Sequence, residues 1–159
     1  AARLKQVVAN PKKVLGKIMF LRPTTFEEQK KAFAKLKGIG KKNIGLIVVD
    51  TIAMLYRLQK SNEDVKEVNQ ELSNQIGILN EICRKQHIPV VITNQVYSEF
   101  ATNKVNMVGG DILKYGSKCL LELQSLASGW RKIVLRKHRS IAGEKEALFQ
   151  IIDKGISGK

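Results

Sequence analysis

Two aliphatic runs, each ending on polar side chains, constrain this chain more than any other feature. Leu46–Val49 leads straight into Asp50, and "PVVITNQV", Pro89–Val96, passes through Thr93, Asn94 and Gln95. Uninterrupted runs of this kind predict strands buried on both faces, because a half-exposed strand alternates. Between them the sequence predicts a short helix reaching Arg57, then a long one from Glu63 to about Lys85. In the long helix Val65, Val68, Leu72, Ile76, Leu79 and Cys83 recur at helical spacing and mark one buried stripe. Strand, helix, strand implies a parallel pair, and ligands of such sheets bind beyond the carboxyl ends of the strands. Asp50 and the Thr93–Gln95 cluster both fall there. An acid at a buried strand's exit is costly unless something positive meets it. Its usual partner in an α/β protein is a metal ion on a nucleotide phosphate. The plainer alternatives are Asp50 as the cap of the next helix and Gln95 as a satisfied strand-end amide.

The flanking segments extend this pattern. Ala2–Ala9 reads as a helix stopped by Asn10-Pro11, and "KIMFLR", Lys17–Arg22, as a short strand. "TFEE", Thr25–Glu28, is a capping box opening a helix that runs to about Lys37, where Gly38 and Gly40 end it. Beyond Tyr97–Asp111 the pattern changes. "KCLLEL", "RKIVLRKH" and "ALFQIIDKG" predict three short strands joined by turns, an antiparallel meander in which Trp130 falls in a turn. At 159 residues and 43% hydrophobic, the chain has apolar material for one domain with a real core. No apolar run approaches a membrane span or a secretory leader, which predicts a protein with no membrane partner and a cytoplasmic location. Cys83 and Cys119 lie in apolar contexts and read as reduced core thiols. His87 near Cys83 does not make a zinc site, because no second pair of ligands is near.

Charge narrows the partner. The chain holds 28 basic and 14 acidic residues, unevenly spread: residues 1–45 carry 12 Lys/Arg and 2 acids, residues 46–100 carry 5 and 7, and residues 101–159 carry 11 and 5. Such a balance points to a polyanion, most simply nucleic acid, or else to a solvated lysine-rich surface. The segment "YSEFATNKVNMVGGDILKYGSK" interleaves Tyr97, Phe100 and Tyr115 with Lys104, Lys114 and Lys118 around Gly109-Gly110. Rings to stack on bases and ammonium groups for phosphates are what single-stranded nucleic acid asks of a mobile loop. The bland reading packs Phe100 and Tyr115 onto the sheet. In "RKHR", Arg136–Arg139, alternation places Lys137 and Arg139 on one face, within reach of one phosphate, with His138 as a spacer.

A phosphate loop requires Gly-x-x-x-x-Gly-Lys-Ser/Thr between strand and helix. No such motif occurs in the sequence. The nearest segment, "GIGKKN", follows a helix, has Lys35 where the first glycine belongs and lacks the hydroxyl.

In this order, "LIVVD", "AMLYR", "IPVVITNQV", the "GG" before "LLEL", and "LRKHR" resemble the core ATPase of RecA-type recombinases. The likeness is greatest to the archaeal RadA/RadB branch, and within it to RadB, over about Phe20 to Ile156. The resemblance implies an incomplete RecA-like P-loop NTPase core. Its fold would be α/β, a mostly parallel sheet flanked by helices with a C-terminal antiparallel meander, residues 1–159 forming a single domain. It implies a DNA-binding, ATP-dependent protein of DNA repair and homologous recombination that self-associates or joins a related recombinase. Asp50 would orient Mg2+ on ATP with Thr51 beside it, and Gln95 would sense the γ-phosphate. Lys137 and Arg139 would act across a subunit interface on a neighbour's nucleotide. Arg57 would contact DNA beside a first DNA loop, Leu58–Glu71. Tyr97–Asp111 would be the second, with Tyr97, Phe100, Lys104, Gly109, Gly110, Lys114 and Lys118 as DNA residues in and after it. Thr51 departs from the family's more typical serine. The family's phosphate-loop strand, loop and helix, and a strand with a catalytic acid, are missing. A fragment is therefore expected, and no ATP hydrolysis by this chain alone. The alternative is a non-catalytic DNA-binding or regulatory module with a vestigial ATPase.

Overall fold

The computed structural model describes residues 2–39, 43–60, 64–99 and 104–159. They fall into two compact units: Leu21–Gly116, the helical unit, and Ala1–Phe20 with Ser117–Lys159, the sheet unit.

The helical unit opens with α3 (Phe26–Leu36), preceded in the chain by α1 (Ala2–Val7) and α2 (Pro11–Leu15) of the other unit. The capping box is present: the Thr25 hydroxyl accepts from Glu28 N–H at 3.1 Å. The Glu28 carboxylate reaches back to the Thr24 N–H and hydroxyl, at 2.7 and 2.9 Å. Next come β1 (Ile47–Val49), α4 (Met54–Lys60), α5 (Val65–Gln86) and β2 (Val90–Ile92), then β3 (Val96–Glu99), β4 (Lys104–Met107) and α6 (Gly110–Gly116). β1 and β2 pair in parallel, Ile47 with Val90 through Val49 with Ile92, as the strand–helix–strand pattern requires. This is the parallel part of the sheet among the described residues. Phe26 and Phe33 of α3, Ile52, Leu55 and Tyr56, and Val68, Leu72, Ile76, Leu79 and Ile82 of α5 make one core.

Several expectations change here. β1 is covered on one face only: Ile47 is buried, while Leu46 and Val48 are 52% and 57% exposed. The helices pack against a single side of this two-stranded sheet. The stripe of α5 runs through Ile82 and leaves Val65 and Cys83 outside, since one residue is about 100° of helical rotation. Cys83 is therefore an exposed thiol and not a core one, and so is Cys119. Tyr97–Met107 is ordered pairing where it is described: β3 and β4 form an antiparallel hairpin, Val96 opposite Met107 and Tyr97 opposite Asn106. Gly109 adopts φ +81°, and a Cβ there would lie 3.1 Å from the Leu72 side chain, so the turn into α6 needs glycine.

In the sheet unit, β5 (Leu120–Ser125), β6 (Trp130–Lys137), β7 (Lys145–Ile152) and β8 (Gly155–Gly158) form an antiparallel sheet in that order. The predicted meander is there with a fourth strand, because "DKG" turns the chain back at Asp153-Lys154 and Ile156 pairs with Ile151. Trp130 begins β6, opposite Gln150, and is not in the turn. Pro11 does not end a helix: Asn10 caps α2, accepting from Lys13 N–H, and Pro11 is its first residue, where a missing N–H costs nothing. Lys17–Arg22 is not a strand, and Ile18, Met19 and Phe20 are exposed. No described strand pairs with it, and pairing is what a strand needs. The Arg3 guanidinium donates to the carbonyls of Ile152, Asp153 and Gly155 at 2.7–3.1 Å, tying α1 to the β7–β8 turn.

Candidate nucleotide end and nucleic-acid groove

Parallel pairing places Asp50 and Thr93 side by side, each directly after its strand. The Thr93 hydroxyl donates to Asp50 Oδ1 at 2.5 Å, Thr93 N–H to the Val49 carbonyl, and Ile52 N–H to the Thr93 carbonyl. The Asp50–Thr51 peptide is cis. Asp50 does not cap α4, which starts at Met54 and shows no capping bond from it; its described partner is Thr93. Two oxygens at this end, Thr51 Oγ1 and Asn94 Oδ1, are buried without a partner. An unmet buried acceptor costs about 1–3 kcal/mol, so their position marks this strand end as polar for a reason other than packing. No group of three metal-ligating side chains occurs among the described residues. Asp50 alone suits magnesium, which takes one or two carboxylates and fills its shell with phosphate oxygens and water. The residues present fit a magnesium–nucleotide complex on that basis.

Gln95 is exposed at the end of this cluster, and its carbonyl accepts from Val108 N–H at 3.1 Å. The neighbouring Asn94 amide donates to the Val108 carbonyl at 2.8 Å. The strand end is thus bonded on both sides to the residue that precedes Gly109-Gly110.

A groove of about 500 Å³ lies on the same unit. It brings together Arg57 and Lys60 of α4, Asn69 of α5, Tyr97 of β3 and the Gly109-Gly110-Asp111 turn. Four predicted DNA residues, Arg57, Tyr97, Gly109 and Gly110, therefore share one surface. Its floor is Tyr56, 2% exposed, whose ring meets Phe26 edge-on at 6.4 Å. The Tyr56 hydroxyl donates to Asn69 Oδ1 at 2.6 Å, and Lys60 Nζ stands 5.9 Å from the ring centroid. Tyr56, Lys60 and Asn69 were not singled out from sequence, although the four-residue step from Tyr56 to Lys60 is the helical spacing for such a pair.

Other predicted residues lie elsewhere. Lys114 sits over the ring of its neighbour Tyr115 at 5.9 Å, and Tyr115 is 68% exposed and not core. A short helix ending at Gly116 leaves that ring pointing outward. Phe100 lies outside the described residues. Lys104 is in β4 opposite Glu99, and its side chain is outside them too. Lys118 is exposed on the sheet unit. Lys137 Nζ donates to the Ser117 carbonyl at 2.8 Å, within the sheet unit, while Arg139 is exposed beyond the end of β6. His138 is more than a spacer: its Nδ1 accepts from Ser140 and Ile141 N–H and shapes the turn between them. Arg136 donates to Glu122 at 2.6 Å and to Glu144, and these two carboxylates raise its pKa further.

A sequence model of the Rad51 family matches residues 2–159. The DNA repair and recombination protein RadB of Methanococcoides burtonii is 37% identical over 158 residues, 98% of this chain and 70% of the relative. The protein of the same name from Methanocaldococcus jannaschii is 38% identical over 157 residues, 97% and 72%. A crystal structure of the RadB recombinase superposes with a TM-score of 0.78 at 30% identity, covering 98% of this chain and 70% of that one. No helix among the described residues is long and apolar enough to cross a membrane. This chain belongs to the Rad51 family, and its likeness to RecA-type recombinases of the RadB kind runs over nearly its whole length.

Proposed function

We propose that the chain serves DNA repair and homologous recombination as part of a RecA-type core in which a nucleotide end and a DNA groove are built on one helical unit. The observation that carries the DNA half is the groove itself, where Arg57 and Lys60 stand beside Tyr97 over a buried tyrosine. The cations meet phosphates and the exposed ring stacks on a base, so the site takes single-stranded DNA with little sequence preference. Lys114 on the same unit and, separately, Lys118 on the sheet unit are proposed as further phosphate contacts.

At the other end, Asp50 and Thr51 would hold the Mg2+ of a bound ATP, and the ion would supply charge neutralisation on the phosphates. Thr93 holds the Asp50 carboxylate in one orientation, and Gln95 passes γ-phosphate contact toward Val108 through its bonded backbone. Lys137 and Arg139 reach the nucleotide of a neighbouring copy or related recombinase. The location proposed with this reading is the cytoplasm. A second reading, a DNA-binding or regulatory module with a vestigial ATPase, rests on the groove, whose lining residues all lie within one unit.

Fluorescence anisotropy with a labelled oligo-dT strand tests the groove. Affinity should fall steeply between about 50 and 200 mM salt. Arg57→Ala should lower the log–log salt slope by about 1, and Tyr97→Ala should cost about 1–3 kcal/mol with the slope kept. Salt-insensitive affinity, or variants that bind like the parent, would overturn it. Magnesium-dependent ATP turnover by the chain itself would reject the module reading.

A further inference from the structure

The core of the helical unit holds two amide side chains among its aliphatics. Gln29 of α3 is 4% exposed and Gln75 of α5 is 0% exposed, as fully buried as Ile52, Leu72 and Val68 of the same unit. Gln29 Nε2 donates to the Ile52 carbonyl at 3.2 Å and to Gln75 Oε1 at 2.7 Å. Gln75 Nε2 donates to Glu71 Oε1 at 3.1 Å. Ile52 is held at its other end too, its N–H on the Thr93 carbonyl, and Thr93 in turn holds Asp50. One bonded series therefore runs Asp50, Thr93, Ile52, Gln29, Gln75, Glu71. Leucine or methionine would fill the same core without desolvating four polar atoms, so the amides do something packing does not ask for. A buried polar pair that must stay bonded fixes register, because sliding α5 against the turn after Asp50 would orphan both amides.

Glu71 lies two residues beyond Asn69, which holds the Tyr56 hydroxyl under the groove. We propose that Gln29 and Gln75 are positioning residues that couple the Asp50 end of β1 to the DNA groove through α5. This rests on the DNA reading of the groove. It is a route separate from Gln95, which leaves the strand end toward Val108.

The test is a double-mutant cycle on this chain with two readouts. Asp50→Asn, Gln29→Leu and the double variant are compared for oligo-dT affinity and for backbone amide shifts at Asn69 and Glu71. Coupling through packed and bonded elements of this kind is worth about 0.5–2 kcal/mol, about two- to thirtyfold in affinity. Asp50→Asn should move the Asn69 and Glu71 resonances in the parent and leave them still in the Gln29→Leu background. Equal shifts in both backgrounds, with melting temperatures retained, would overturn the proposal. Should Gln29→Leu fail to fold, the Gln29 and Gln75 side-chain amide resonances of the parent decide: Asp50→Asn moves both if the series is coupled, and neither if it is not. A parent chain that does not bind oligo-dT rejects the groove's function, while the shifts still settle the coupling.

Discussion

In the helical unit Gln29 and Gln75 are buried among phenylalanine and leucine; in the sheet unit Leu123 and Ile156 are 69% and 71% exposed. The two units invert the usual order in opposite directions. The first has a deep apolar core into which polar groups are admitted where each finds a partner. The second, with Val134 its one buried residue among those described, is held by its strand ladder and by charges across neighbouring strands. Lys132 pairs with Glu146 at 2.9 Å, and Arg136 bridges Glu122 and Glu144. The contrast teaches how to read the chain's basic excess. In the sheet unit these cations are already engaged in holding strands together, whereas Arg57 and Lys60 line a groove. Net charge alone does not distinguish a cation that binds DNA from one that binds its own sheet.

The sharpest way to break the comparison is a matched pair of truncations. Leu72→Ala, at a fully buried position of α5, should cost about 2–5 kcal/mol in a urea melt. Leu123→Ala, on the open face of β5, should stay within about 0.5 kcal/mol. Equal costs would mean the exposed face is packed in solution. A smaller effect is expected at Gly116, where an added Cβ would fall 2.5 Å from the Ile76 side chain. Gly116→Ala should cost about 1–3 kcal/mol by the same melt, and Ile76→Ala, which removes the clashing methyl, should cost less in that background than in the parent.

The smallest effect is the pH response of the sheet unit. Hydrogen bonding from Gln124, then from Arg136, holds the Glu122 carboxyl below its ordinary value of 4.5. A carboxylate lowered in the fold contributes stability that is fully present above the unfolded value and is lost as pH falls through the folded one. Protection factors of the β5 and β6 amides, the intrinsic exchange rate at each pH divided by the observed one, should therefore fall as pH is taken below 4.5. In Glu122→Gln that decline should flatten, and an unchanged profile would place the control elsewhere.

What could be read from sequence was local or periodic. Thr25–Glu28 announces its own cap, and the Leu46–Asp50 and Pro89–Gln95 runs announce parallel strands and the end where polar groups gather. What escaped depends on partners distant in the chain. Nothing near Gln29 indicates that its amide meets Gln75, and an isolated glutamine in an amphipathic helix reads as surface. Cys83 was misplaced by one residue of helical phase, with Ile82 taking the inward position. Tyr97–Met107 read as loop because it runs into Gly109-Gly110, and the pairing of Val96 with Met107 spans residues that carry no turn signature. Lys17–Arg22 had strand composition, but no described strand pairs with it.

The Arg3 clamp on the carbonyls of Ile152, Asp153 and Gly155 has a consequence for the order of assembly. It joins residues 149 to 152 positions apart, while the helical unit is one uninterrupted stretch from Leu21 to Gly116. Contacts of such separation close late, because the entropy of the intervening loop must be met first. On a ribosome the helical unit can therefore pack its helices while α1 still waits for the β7–β8 turn to emerge. The groove and the Asp50 end would then be formed before the unit that encloses them in sequence is finished.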